Sequence, residues 1–384
     1  MKPLSFALSF VSLLPFLCLL LVLPARAALP VPPPPRIEAR AWLLIDAASG
    51  LPLAERDPDA KVEPASLTKL MTAYIAFSAI QEGRLALNQE LSVSEKAWKA
   101  EGSRMFLDPK RPATVEDLLK GVIVQSGNDA CIALAEGVAG SEESFVAVMN
   151  QMAKKLGMAH THFMNVTGLP HPQHTTTARD LSRLAGALIR DFPDFYKYYA
   201  MKSFAYNGIS QPNRNRLLFM DPSVDGVKTG HTESAGYCLI ASAKREQRRL
   251  LSVVLGAGSD GARAMESQKL LNYGFQFFET VKLYPANQAV SSLRIYKGKG
   301  GEVKAGFLSD FHVTVPRGMS KNIQAQLVTQ KPLLAPVRRG QQLGTLHLSV
   351  DGQPVGDYPL LALENVPVAG ILGRGWDNIL LMFK

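Results

Sequence analysis

The order of predicted strands and helices constrains the fold of this chain more than any other feature. Two strands are predicted at 40–46 and 51–54, and a long run of helices with Ser or Thr caps follows them. Strands then resume at 201–206, 215–219, 226–228, 236–243 and 250–256, and a helix over 263–280 closes the region. Strands on both sides of a helical block predict one antiparallel sheet with a helical insertion and flanking helices, an α+β fold.

The character of the chain changes after residue 281. Short predicted strands alternate with turns rich in Gly, Pro and Asp as far as residue 361. This pattern is typical of a small all-β domain. We therefore predict an α+β domain over 40–281 and a β-rich domain over 282–363.

The first 27 residues have the pattern of a secretory signal peptide. Lys2 precedes an uncharged apolar run over 4–23, and Ala25 and Ala27 form a small-residue cleavage site. We expect cleavage after Ala27, which leaves a Pro-rich linker over 28–39 that holds the domain away from the cleavage site. An uncleaved membrane anchor is the alternative.

The charge of the chain restricts its partners only loosely. The net charge is +9, and it falls to +7 without the leader because Lys2 and Arg26 leave with it and no acid does. A basic exported protein suits an anionic membrane surface or an acidic polymer, although the same charge also serves solubility. The sequence contains no Gly-rich phosphate loop or nucleic-acid-binding patch, so we predict no nucleic-acid partner.

Two cysteines, Cys131 and Cys238, remain after the leader is removed. Their spacing does not decide whether they pair, because a disulfide depends on a distance that the sequence does not give. Their apolar neighbours favour buried free thiols.

The segment 368–384 has the pattern of an amphipathic helix. Trp376, Ile379, Leu380 and Phe383 recur at the spacing of one helical face. Such a helix lies in a membrane interface with its apolar face down. A last helix packed on the β-rich domain is the alternative.

Ser66 and Lys69 are the first candidate catalytic residues. Residues three apart share a helix face, so the hydroxyl and the amine are expected within hydrogen-bond reach at the start of a helix over 66–82. A lysine activates a serine when burial or a neighbouring cation lowers the pKa of its ammonium group. The motif by itself is weak, since an exposed helix face has the same spacing.

Two further motifs add polar groups to this pair. Ser126 and Asn128 fall at a predicted junction between two helices, where a hydroxyl and an amide point into a cleft. Lys228, Thr229 and Gly230 lie on a predicted strand. Since Gly230 has no side chain, we expect an extended substrate to approach the backbone of that strand closely.

The three motifs S-x-x-K, S-x-N and K-T-G, in this order, resemble the signature of penicillin-binding proteins and serine β-lactamases. The chain is similar in particular to the low-molecular-mass penicillin-binding proteins that act as D-alanyl-D-alanine carboxypeptidases. The likeness covers nearly all of the mature chain. Its matching segments are 64–72, 124–130, 165–170, 177–180, 225–232 and 272–280.

This resemblance implies a β-lactamase/transpeptidase-like fold and a serine hydrolase. The enzyme would remove the terminal D-alanine from peptidoglycan stem peptides, with no cofactor and no metal. β-Lactam antibiotics would be its inhibitors. The resemblance also implies a periplasmic protein, attached by its C-terminal helix to the anionic outer face of the inner membrane.

The resemblance assigns roles in proton transfer to the motif residues. Ser66 is the acyl-ester nucleophile, and Lys69 is the general base that accepts its proton. Lys228 is a second cation that helps to keep Lys69 neutral. Ser126 relays a proton to the leaving D-alanine, and Asn128 holds the peptide.

The resemblance also implies how the substrate is bound. The backbone N–H groups of Ser66 and His231 form the oxyanion hole. Thr229 and Arg263 bind the terminal carboxylate, with Lys228 and Gly230 beside them on or near the same strand.

Three other functions remain open from the sequence. A weak β-lactamase is disfavoured because the region before K-T-G lacks a Glu-x-x-Leu-Asn segment and holds Gly168-Leu169-Pro170 instead. A DD-endopeptidase would use the same chemistry on cross-bridges. A non-catalytic cell-wall-binding protein would keep the site without turnover.

The histidines between 160 and 174 do not predict a metal site. Their spacing suits no common structural zinc site, and a proline lies between His171 and His174. We expect His174 to make a structural hydrogen bond.

Overall fold

The computed structural model describes residues 31–329 and 331–371, together with 377, 378, 380 and 381. The predicted leader over 1–27 lies outside these residues, as do Trp376, Ile379 and Phe383 of the predicted amphipathic face. Within the described residues, no helix combines the length and the apolar character needed to cross a bilayer.

The first part of the chain contains both helices and strands. Its strands are β1 (Ala41–Asp46), β2 (Pro52–Arg56), β3 (Glu90–Leu91), β4 (Ala113–Thr114), β5 (Ser203–Tyr206), β6 (Ile209–Pro212), β7 (Val224–Thr232), β8 (Gly236–Arg245) and β9 (Arg248–Ala257). Its α-helices are α1 (Lys69–Gln81), α2 (Glu95–Trp98), α3 (Val115–Lys120), α4 (Asn128–Ala139), α5 (Glu142–Lys155), α6 (Ala178–Asp191), α7 (Pro193–Tyr196), α8 (Leu217–Met220) and α9 (Asp260–Phe277). A 3-10 helix, Ala65–Thr68, leads directly into α1.

Five of these strands form an antiparallel sheet in the order β2-β1-β9-β8-β7. Side chains of β9 alternate between two cores: Leu251 and Val253 pack with α1, α4 and α6, and Leu250 and Val254 pack with α9. The sheet is therefore covered on both faces, and its helical insertion runs between β2 and β7. This arrangement confirms the predicted α+β architecture.

One strand of the sequence-based prediction is wrong. The strand expected over 215–219 is helix α8, because the buried side chain of Asn215 accepts from the N–H of Leu217 and fixes a turn there. A short apolar run does not distinguish a strand from a helix. Within the predicted Pro-rich linker over 28–39, Ile37 is buried in the sheet–α9 core, and Tyr273 Oη donates to the carbonyl of Pro32 at 2.8 Å.

The second part of the chain is built of strands, as predicted. They are β10 (Phe278–Tyr284), β11 (Ala289–Tyr296), β12 (Glu302–Gly306), β13 (Phe311–Pro316), β14 (Ile323–Thr329), β15 (Leu333–Leu334), β16 (Gln342–Val350) and β17 (Gln353–Ala362). Six form a sheet in the order β14-β16-β17-β12-β11-β15, while β10 pairs with β13. Strand β10 follows α9 directly and crosses the predicted boundary at 281/282.

The described residues of the tail contact this second domain. Val368 pairs with Gly298, and the N–H of Lys297 donates to the carboxylate of Asp377. Val368 and Ile371 nevertheless expose much of their apolar side chains.

Candidate active site

The Ser66–Lys69 pair forms where the chain passes from a 3-10 helix into α1. Lys69 Nζ lies 3.0 Å from Ser66 Oγ and donates to the carbonyl of Thr167 at 2.5 Å. Ala65, just before the serine, has a φ of +47°, which costs about 1 kcal/mol for an L residue. The turn therefore holds the hydroxyl and the amine together, as the S-x-x-K spacing predicts.

The other two motifs meet across a cleft from this pair. Ser126 ends the π-helical turn Gly121–Gln125 with a left-handed φ of +61°, which turns its side chain away from the helix path. Lys228 Nζ, on β7, donates to Ser126 Oγ at 3.0 Å. Asn128 lies beside them, but its Nδ2 donates to the carbonyl of Glu101 at 2.6 Å. The structure thus brings the predicted Ser–Lys, Ser–Asn and Lys–Thr–Gly groups into one site.

A small cavity connects these groups. Its lining residues are Ser66, Ser103, Ser126, Arg214, Thr229, Gly230, His231 and Arg263. Predicted site residues therefore make up most of the lining. Sequence reasoning missed Ser103 and Arg214, because neither stands in a recognisable motif and both approach the cavity only through the fold.

Burial sets the protonation of the two lysines. It lowers the pKa of the Lys69 ammonium group to about 8, and the Arg214 guanidinium adds a smaller lowering. The pKa of Lys228 lies well below its ordinary value because that group is buried and close to Lys69. Burial is thus the main cause of the lowered pKa of Lys69, whereas the sequence-based expectation was that Lys228 helps to lower it.

A loop over 165–169, to which the sequence analysis gave no role in the site, packs against the turn that carries Ser66. Asn165 Oδ1 accepts from the N–H groups of Thr167 at 3.2 Å and Gly168 at 2.7 Å, so one side chain shapes the loop. Gly168 has a φ of +87°, and a Cβ there would lie 1.8 Å from the carbonyl oxygen of Ala65. Only a glycine permits this approach, which sets the Thr167 carbonyl against Lys69.

Gly230 lies in close contact with the turn that carries Ser66. A Cβ at this position would lie 3.1 Å from the carbonyl oxygen of Pro64 and 3.3 Å from Cβ of Ala65. The missing side chain therefore allows β7 to pack against the turn that carries Ser66. The close approach of an extended substrate to this strand stays a prediction.

Arg263 and Arg214, which both line the cavity, differ in the hydrogen bonds and ion pairs that they already form. Arg263 is almost fully buried, donates to the carbonyl of Gly230 at 3.0 Å and forms an ion pair with Asp260. Arg214 is exposed and has no carboxylate partner among the described residues. Arg214 is therefore the freer of the two cations for an anionic ligand.

The buried polar residues behind the site are structural. His174 Nε2 lies 3.0 Å from Thr68 Oγ1, which matches the expected structural hydrogen bond, and burial lowers the pKa of this imidazole to about 4. Cys131 and Cys238 are both buried and unpaired.

A sheet with a helical insertion, three motifs in one cleft and a following all-β domain define the class of penicillin-binding proteins. A model of the D-alanyl-D-alanine carboxypeptidase family matches residues 28–259. A second model, of the C-terminal domain of penicillin-binding protein 5, matches residues 278–368. The chain belongs to the D-alanyl-D-alanine carboxypeptidase family.

Individual relatives agree with this assignment along nearly the whole chain. The chain is 46% identical to the D-alanyl-D-alanine carboxypeptidase DacC of Escherichia coli, over 91% of this chain and 89% of that protein. Penicillin-binding protein 5 from Haemophilus influenzae is similar in structure, with a TM-score of 0.83, 40% identity and coverage of 87% of this chain and 99% of the other.

A smaller relative has been solved with antibiotics bound. Penicillin-binding protein D2 from Listeria monocytogenes, in its ampicillin-bound form, has a TM-score of 0.59 and 31% identity, and covers 64% of this chain and 100% of its own.

Proposed function

We propose that this protein is a serine-type D-alanyl-D-alanine carboxypeptidase that removes the terminal D-alanine from peptidoglycan stem peptides through an acyl-enzyme on Ser66. The observation that carries the proposal is the pair of Ser66 Oγ and Lys69 Nζ at 3.0 Å, with the pKa of the lysine lowered to about 8. A buried amine with this pKa is a competent base near neutral pH.

In the proposed acylation, Ser66 Oγ attacks the carbonyl carbon between the two D-alanines while Lys69 takes the hydroxyl proton. The Thr167 carbonyl, which accepts from Lys69 Nζ, orients the amine. The developing oxyanion accepts from the backbone N–H groups of Ser66 and His231. Ser126, held by Lys228 at 3.0 Å, passes a proton to the leaving nitrogen as the C–N bond breaks.

Cationic and hydroxyl groups around the cavity suit the terminal carboxylate of the peptide. Thr229 and Arg263 line the cavity, and Arg214 adds a guanidinium with no carboxylate partner among the described residues. Asn128 is proposed to hold the peptide after its amide leaves the carbonyl of Glu101. Water then breaks the ester and releases the shortened peptide, and no step calls on a metal or organic cofactor.

β-Lactam antibiotics are proposed to acylate the same serine. The site lacks the Glu-x-x-Leu-Asn segment that speeds hydrolysis in class A β-lactamases, and Gly168 occupies that region against Ala65. The acyl-enzyme is therefore expected to clear slowly.

The test combines mass spectrometry after benzylpenicillin with an assay of D-alanine release from a pentapeptide. We expect one penicilloyl adduct on Ser66 and D-alanine release, both absent in Ser66→Ala. Ser141→Ala, at the exposed cap of α5, is the matched control and should retain both.

Each result that departs from this expectation would indicate a different mechanism or function. D-Alanine release by Ser66→Ala would refute the mechanism. Penicillin labelling without release would indicate the non-catalytic wall-binding protein. Cleavage of cross-linked dimers in preference to pentapeptides would indicate the endopeptidase, and rapid loss of the penicilloyl adduct would indicate a β-lactamase.

We further infer that the protein is exported and attached peripherally to the anionic outer face of the inner membrane. The signal-peptide pattern over 1–27 and the exposed apolar side chains of Val368 and Ile371 support this. Deletion of 368–384 should release activity into the soluble periplasm. Unchanged membrane association of the truncated protein would contradict the anchoring role.

A further inference from the structure

We propose that Arg104 and Phe106 form a subsite for a carboxylate on the acyl side of the substrate, carried by the residue that precedes the two D-alanines. The proposal rests on the function proposed above. The proposal adds a pair of residues that select among substrates. This pair lies on a segment that takes no part in the bond-breaking steps.

The segment that carries Arg104 is attached directly to the second catalytic motif. The N–H of Asn128 donates to the carbonyl of Ser103 at 2.6 Å, and Ser103 itself lines the active-site cavity. Gln211 Nε2 donates to the carbonyl of Arg104 at 3.1 Å. Arg104 is thus the residue next to the cavity wall, with its backbone held from two sides.

Asp129 fixes the remainder of this segment. Its buried carboxylate accepts from the N–H of Met105 at 3.0 Å and from that of Leu107 at 3.1 Å. Met105 and Leu107 are buried, so the side chains between and before them are presented to solvent. A rigid backbone therefore displays Arg104 and Phe106 with little ordering left to do on binding.

The conformation of Phe106 is unusual for a residue with only a structural role. It has a φ of +67°, in a region that bulky residues avoid, and its side chain is 45% exposed. The Arg104 guanidinium carbon lies 5.5 Å from the centre of its ring, within range of a cation–π interaction. The ring thus supports the guanidinium of the residue that follows the cavity-lining Ser103.

Arg104 remains available for an anion. It forms no ion pair with any carboxylate in the part of the chain that the structure describes, and its side chain is exposed. A guanidinium that stacks on a ring keeps donors at its edge for the two oxygens of a carboxylate.

The position of Arg104 selects which part of the peptide it meets. Thr229, Arg214 and Arg263 are assigned to the terminal carboxylate on the leaving side. Arg104 follows Ser103, whose carbonyl accepts from the N–H of Asn128, the residue proposed to hold the peptide. Since the leaving side is taken by the other three groups, we assign Arg104 to the acyl side, N-terminal to the scissile bond.

The test uses three tripeptides of the form Nα-acetyl-L-lysyl-D-alanyl-D-alanine that differ only in the charge at Nε. An Nε-succinyl group gives an anion, Nε-acetyl a neutral group, and the free amine a cation. We expect kcat/KM to be about three- to tenfold higher for the anionic than for the neutral peptide, and lowest for the cation. High salt should reduce this preference, because the contact is near solvent.

Arg104→Gln should bring the three kcat/KM values to within about twofold of one another while hydrolysis of the neutral peptide stays unchanged. The matched control is Arg111→Gln, an exposed arginine further along the same segment, which should keep the preference. Phe106→Leu should weaken the preference, because the guanidinium loses its support.

Carbenicillin and benzylpenicillin have side chains that differ by a carboxylate. Their acylation rates therefore compare an anionic with a neutral ligand without requiring turnover. If no peptide releases D-alanine, the proposed function fails, and the penicillin pair still tests the subsite. Equal rates within either series, or a preference that Arg104→Gln leaves intact, would overturn the subsite.

Discussion

At the scale of the residue, the protonation of Lys69 decides in the proposed mechanism whether Ser66 reacts. A protonated amine cannot accept the hydroxyl proton, so activity requires the neutral form. Because the pKa of Lys69 is about 8, roughly one molecule in ten carries the neutral lysine at pH 7. Burial raises the fraction of neutral Lys69 to a level at which the reaction can proceed, and the Arg214 guanidinium raises this fraction further.

The first prediction follows from this protonation. The rate of acylation by benzylpenicillin, measured by stopped flow, should rise about tenfold per pH unit below pH 8 and level off above it. Arg214→Gln removes a cation that lowers the pKa of Lys69, so the midpoint should move to higher pH. Arg216→Gln, which loses only an exposed ion pair with Asp260, is the control. Equal midpoints in the Arg214 variant and the wild type would contradict the electrostatic role.

At the scale of the element, the site depends on close contacts between segments that are distant in the chain. The 165–169 loop approaches the Ala65–Thr68 turn at Gly168, and β7 approaches it at Gly230. A Cβ at Gly168 would overlap the Ala65 carbonyl, and a Cβ at Gly230 would make an unusually tight contact with the Pro64 carbonyl. The Ala65–Thr68 turn is therefore held between the 165–169 loop and β7. This packing explains how Lys69 stays buried although Ser66 faces solvent.

The second prediction compares two glycines with left-handed backbones. Gly168→Ala places a Cβ 1.8 Å from the Ala65 carbonyl oxygen, so the loop must move and the Thr167 carbonyl must leave Lys69. We expect acylation to fall by about 100-fold or more, a loss typical of a misplaced catalytic group. Gly157 has a φ of +71° and open space around it. Gly157→Ala should therefore lower the free energy of unfolding by only about 1 kcal/mol and leave acylation unchanged.

Chemical denaturation measures the loss of stability in each variant, and acylation kinetics measure the loss of activity, so the two effects are separated. A Gly168→Ala protein that acylates at the wild-type rate would show that the loop does not position the lysine.

At the scale of the whole molecule, a buried polar junction connects the two domains. Asp46, at the end of β1, accepts from Arg248 Nε at 3.0 Å and from Thr280 Oγ1 at 2.5 Å. Thr280 lies on β10 and also contacts Thr314 of β13 at 3.1 Å. The catalytic sheet and the β-rich domain therefore share one hydrogen-bonded network, which fixes the orientation of the cleft relative to the second domain.

The third prediction tests this junction. Asp46→Ala leaves the largely buried Arg248 guanidinium without its carboxylate, so the free energy of unfolding should fall by about 3 kcal/mol or more. Urea denaturation measures the change. Asp310→Ala, which removes an exposed partner of Lys282, is the control and should change stability little. Equal losses in the two variants would mean that the junction contributes no more than a surface ion pair.

The sequence by itself determined the fold class, the all-β second domain and the candidate catalytic groups Ser66, Lys69, Ser126 and Lys228. Hydrophobic periodicity and motif spacing are local properties, and a helical turn places residues three apart on one face whatever lies around it. Only the tertiary structure decided that Arg214, Ser103 and the Thr167 carbonyl join them. Those groups reach the site through contacts between distant segments, and burial, which sets the pKa of Lys69, is a property of the assembled core.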